Sequence, residues 1–163
     1  MASTLTVDNI VGATTAANVK LPAGSILQVV EGSATALNVT NSTSLTASNL
    51  SATITPKYSS SKVLITVSLN GCYRASETDY IVFHIYKGGS NHHSISTAVA
   101  QNGESASDSV AHSYLDSPNT TSATTYAVYM RSGTGGGNIG IGNYAIGGDG
   151  STRSTMILTE ISA

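Results

Sequence analysis

His92 and His93 stand side by side in a polar stretch, and imidazole is the side chain suited both to metal ligation and to proton transfer near neutral pH. Their spacing argues against a shared metal, because successive side chains on a strand point to opposite faces. No CxxC motif and no carboxylate cluster offers the further ligands that a metal site requires. The pair is therefore expected in a surface turn, with neither metal nor cofactor. Only a threefold axis gathering three copies of one histidine would alter that, and a single sequence does not display such an axis. His84 falls in Tyr80 to Lys87 (YIVFHIYK), on the side that carries the tyrosines, and is expected as a hydrogen-bonded interface residue.

Other constellations fail on context. Glu77 and Asp79 flank one position and would share a strand face, the arrangement of a glycosidase pair; like charges so placed more often guard an exposed edge or loop. Nucleophilic catalysis needs a serine, a base and an orienting group, and a chain this rich in Ser brings such types together by chance. No G-x-S-x-G elbow occurs. Gly135 to Gly140 matches G-x-G-x-x-G, but a dinucleotide site needs a helix after it and an acidic residue about 20 positions on. Ile139-Gly140-Ile141-Gly142 reads instead as loop or strand. The chain is therefore expected not to be an enzyme. The Asn-X-Ser/Thr triplets at Asn38, Asn41, Asn49 and Asn119 are by-products of the composition.

The elements that would hold these residues are strands. Lys62 to Asn70 alternates Val63, Ile65, Val67 and Leu69 against Lys62, Leu64, Thr66, Ser68 and Asn70, the pattern of a half-buried strand. Further strands are expected at 25–31, 50–55, 80–87, 94–100, 110–115, 124–131, 138–146 and 153–161, with turns at Gly88 to Asn91, Pro118-Asn119 and Gly133 to Gly137. No sustained 3.6-residue period occurs after residue 25. Eight or nine such strands predict an all-β fold, an antiparallel β-sandwich with a jelly-roll-like arrangement as one option. Residues 1–24 differ: Leu5, Val7, Ile10 and Val11 lie among Thr, Ala and Asn, and Pro22-Ala23-Gly24 closes the stretch. Thr4 to Val7 alternates like a short strand, and Ala13 to Val19 suits a brief helical turn. A segment without a core of its own is expected to be extended and tied to something else. The domain division is thus 1–24 and 25–163.

Composition narrows the function. Charged residues are only 10% of the 163, against about a quarter in an average globular chain, and Ser and Thr take their place. So little surface charge points to burial between subunits. A net charge of −2 and the lack of a basic stripe argue against nucleic acid. No apolar run approaches the length of a membrane span, and no secretory leader is expected. A lone Cys72, read as a small buried hydrophobe, fits assembly in a reducing bacterial cytoplasm. Eight tyrosines carry most of the aromatic mass; Tyr73, Tyr80, Tyr86, Tyr126, Tyr129 and Tyr144 are candidates for packing, subunit contact or sugar binding. The glycine-rich run, with Gly135, Gly136, Asn138, Asn143 and Tyr144, is a candidate receptor-facing loop.

Met1 to Gly12 (MASTLTVDNIVG) resembles the opening of small tail-fibre-like and virion structural proteins of marine phages of cyanobacterial and pelagic hosts. Ser25 to Val30, Ile54-Thr55-Pro56, Ser60 to Ile65, Tyr114 to Pro118, Thr120 to Tyr126 and Ser154 to Ile161 are similar to blocks of the β-domain those proteins carry. The resemblance implies a virion subunit, homotrimeric, with an N-terminal attachment peptide that docks onto other virion proteins of tail or capsid; the composition break and the core-less first segment, not the resemblance, make Leu5, Val7, Ile10 and Val11 the candidate docking residues. Its outer β-domain would meet the host, by way of a cell-surface glycan in one version. The chain lacks the long shaft repeats of a full fibre, so a capsid decoration or head-fibre role without receptor binding stands beside the attachment role.

Overall fold

The computed structural model describes residues 21–95, 108–142 and 152–163. Ten strands occupy most of them: β1 (Ile26–Ala34), β2 (Asn38–Thr40), β3 (Thr46–Ile54), β4 (Lys62–Arg74), β5 (Ile81–Lys87), β6 (Ser90–Ser94), β7 (Asp108–Asp116), β8 (Thr124–Ser132), β9 (Ile139–Ile141) and β10 (Ser154–Ile161). All pairings are antiparallel. One sheet runs β1-β10-β4-β9-β2 with β7 also on β4; the other runs β3-β8-β5-β6. The fold is the all-β antiparallel sandwich that the alternation predicts.

The core follows from that alternation. Val63, Ile65, Val67 and Leu69 of β4 are buried, as are Met156 and Leu158 of β10. They meet Leu50 and Ile54 of β3, Ile81, Phe83 and Ile85 of β5, and Tyr126, Val128 and Met130 of β8. Each of these five strands faces the core with every second residue, so one apolar layer serves both sheets. Strand β4 organises its sheet: residues 63–68 pair with β10 on one edge and with β7 on the other. Its register against β7 shifts between Leu69 and Cys72, where Gly71 takes φ +63°. A side chain there would strain the backbone, and glycine permits the bulge that turns the strand toward β9.

Several expectations need correction. Of the strand expected at 94–100, residues 96–100 lie outside the described residues; before it, β6 is Ser90–Ser94, so Ser90 and Asn91 leave the turn assigned to them and Gly88 and Gly89, both at positive φ, make it. The three-residue strands β2 and β9 form one small ladder; β9 falls within the strand expected at 138–146, of which residues 143–146 lie outside the described residues. The docking residues Leu5, Val7, Ile10 and Val11, with the short strand and helical turn expected near them, lie outside the described residues. The end of the 1–24 segment is tied to the sandwich, because the Gly24 N–H donates to the Ser162 carbonyl at 2.8 Å.

Candidate functional site: a polar seam between the sheets

Among the described strands β6 is the last of its sheet, and β7 lies on the edge of β4 away from β10 in the other. The side chains between them are polar. The Lys87 ammonium lies 2.7 Å from the Asp116 carboxylate, which also accepts the Tyr126 hydroxyl at 2.6 Å; His92 Nε2 is 3.2 Å from the other oxygen of Asp116. His93 Nε2 and His112 Nε2 are 2.9 Å apart, and the His93 ring stacks on Tyr114 at 4.2 Å and 10°. His112, Tyr114 and Asp116 sit at alternate positions of β7 and so share its inner face.

Two adjacent histidines reach this seam because β6 is bulged. Tyr86 pairs with Asn91 and Ile85 with His93, so His92 is the extra residue. A bulge suspends the alternation of side chains, and both imidazoles meet groups of β7. The expectation that neighbouring histidines diverge, in a surface turn, is thereby corrected. His84 pairs with Tyr129 and bonds Asn91 Oδ1 through Nδ1 at 3.0 Å.

The histidine pair is a hydrogen bond. Ring centres 5.0 Å apart with nitrogens 2.9 Å apart place the two rings end to end, each Nε2 aimed at the other. A metal needs about 2.0–2.1 Å to each nitrogen, and that arrangement leaves no room for it. Among the described residues no group of three or more His, Cys, Asp or Glu could hold a metal ion. Burial, then the neighbouring His112, His92 and His84, lowers the pKa of His93 and favours its neutral form. Burial alone would raise the pKa of Asp116, but the hydrogen bond from Lys87, that from Tyr126 and the charges of Lys87 and His92 outweigh it and hold the carboxyl below its ordinary value. The Tyr126 hydroxyl is pushed well above its ordinary value by burial and by Asp116. Asp116 is thus occupied as an acceptor, and among the described residues no serine or cysteine hydrogen-bonds to a histidine.

The acidic residues singled out in sequence separate. Glu77 is exposed in the turn between β4 and β5, and Asp79 is 2% exposed. Asp79 accepts the Ser132 hydroxyl at 2.6 Å, the N–H groups of Gly133 and Thr134 at 3.0 Å each, and the N–H of Tyr80 at 2.8 Å. It shapes the entry to the loop between β8 and β9, which carries the exposed Gly135, Gly136 and Asn138 of the candidate receptor loop. Asn143 and Tyr144 lie outside the described residues. Gly135 to Gly140 leads into β9, a strand, so the nucleotide motif lacks its helix. Cys72 is fully buried, and burial, then Asp108, pushes its thiol up to about 12.

The tyrosines divide likewise. Tyr73 and Tyr126 are buried. Tyr86 and Tyr129 stack at 3.6 Å and 11°, beside His84, and Tyr80 is 39% exposed. Among the described residues no helix is long and apolar enough to cross a membrane. Sequence reasoning missed His112, Lys87 and Asp116; the alternation of β5 and β7 could have placed the latter two on inner faces, but their partnership depends on sheet order. No family model matches the chain, and no curated protein matches it.

Proposed function

We propose that the chain is a non-enzymatic structural subunit of a phage virion, tail-fibre-like, that docks through residues 1–24 and presents residues 25–163 as a homotrimeric β-domain for host attachment. The observation that carries the assembly role is the outer face of the larger sheet. Val29, Thr159, Leu64 and Leu115 stand in register across β1, β10, β4 and β7, and Val29 and Leu115 are 59% and 56% exposed. The next row reads Glu31, Ile157, Thr66 and Ser113. Its only charge, Glu31, is paired with Arg153. Two rows dominated by apolar and hydroxyl side chains suit contact with another subunit better than contact with water. Three linked copies would raise the avidity of any weak surface contact, and the Tyr86–Tyr129 pair and the loop at Gly135 to Asn138 are where a host glycan would meet the domain.

A capsid decoration role uses the same assembly face and needs no receptor. Electron microscopy of whole virions with symmetry averaging tests both. The attachment reading expects a few threefold copies at the tail, and loss of incorporation when residues 1–24 are deleted from a domain that still folds. Density repeated over the capsid would establish decoration, and absence from particles would end both.

A further inference from the structure

We propose that the end-on His93–His112 pair is an acid-released latch that holds β6 of one sheet to β7 of the other. The bond works only while at least one imidazole has a free lone pair: one Nε2–H donates and the other nitrogen accepts. A first proton can be shared between them. A second removes the acceptor and sets two cations at 2.9 Å.

The surroundings do not relieve that repulsion. From β5 come Lys87, a further cation, and His84; from β6 itself His92; from β7 Tyr114 and Asp116; from β8 Tyr126. β4 offers only apolar neighbours there, Val67 opposite His112 and Ile65 opposite Tyr114. Among these described groups the anion is Asp116, and it is engaged by Lys87, Tyr126 and His92. His92 faces Asp116 through Nε2 and not the histidine pair. Acid therefore frees the seam at His93 and His112, while the Asp116 end stays clamped until carboxylates themselves protonate.

The sign follows from linkage. A histidine whose folded pKa lies below its unfolded value of about 6.5 binds its proton more readily in the opened or unfolded chain. The latch is fully effective above that pH and weakens as pH falls below it. All four histidines of the chain belong to β5, β6 or β7, so the histidine window is concentrated in these strands.

Hydrogen exchange of the full chain, corrected for intrinsic rates, at about pH 7.5 and about pH 5 tests the latch. Peptides covering 90–94 and 108–113 should lose about tenfold in protection at the lower pH, with 154–161 unchanged. The H93Q/H112Q double variant, whose amides can bond without titrating, should lose that pH dependence. Side-chain nitrogen NMR of the wild-type protein gives a second measure independent of any variant. Two separated protonation steps are expected; two imidazoles titrating independently near 6.5, or β6 and β7 equally protected at both pH values, would overturn the proposal.

Discussion

Asp116 on β7 and Tyr126 on β8 share a 2.6 Å hydrogen bond that crosses from one sheet to the other. Both groups are buried, and Lys87 of β5 closes the charge balance from the same side. Tyr126→Phe removes one bond and leaves the ion pair, at a cost of about 1–2 kcal/mol. Asp116→Ala leaves a cation and a phenol without their acceptor; Lys87 keeps 23% exposure, so the loss is about 3 kcal/mol. Urea unfolding of the two variants checks the order. Equal small losses would mean that water replaces the carboxylate and that the crossing is not a structural joint.

Strands β4 and β5 were legible because each buries one face and wets the other, so their sequences record the division residue by residue. β2 and β9 were not, since three residues carry no period. The seam was hidden for a different reason. Alternation reports which face a side chain takes, and the bulge at His92 breaks that rule locally. Glu77 and Asp79, expected to guard an exposed edge or loop, do lie in a turn, where Glu77 is solvated but Asp79 is an internal acceptor, a difference that like charge and spacing do not record.

Asp79 predicts an acid-dependent term. Burial alone would raise its pKa, but the Ser132 hydroxyl and the N–H groups of Thr134 and Tyr80 outweigh it and hold the carboxyl below its ordinary value. A lowered folded pKa contributes stability that is complete above the unfolded value of about 3.9 and is lost as pH falls through the folded one. Asp79→Asn should cost about 1–3 kcal/mol at neutral pH. The gap between variant and wild type should narrow as pH drops below about 4. Urea midpoints measured from neutral to strongly acid pH decide it: a constant gap would show that the carboxylate's charge has no part in holding the loop.

The proposed assembly face makes a separate prediction. Val29→Glu combined with Leu115→Glu places two carboxylates on exposed positions of one row, so the isolated fold should change by less than about 1 kcal/mol. Self-association should fall by at least about a hundredfold, since charge at the centre of an apolar contact must be desolvated. Sedimentation velocity reads this directly. A wild-type chain that sediments as a monomer at all concentrations, or a variant that still trimerises, would remove the face from consideration.

β1 has β10 as its neighbour in the sheet, with Val30 opposite Leu158 and Ala34 opposite Ser154. Strands from opposite ends of the described chain must therefore meet before that sheet is complete. During synthesis β1 emerges early and waits, its ladder groups unpaired, until residues near 154–161 have appeared. Loop closure over so long a separation is slow, and an unpaired apolar strand is open to the wrong partner in the interval. The order of the strands thus sets a period of vulnerability during biogenesis, when several copies made together could exchange β1 before each has closed on its own.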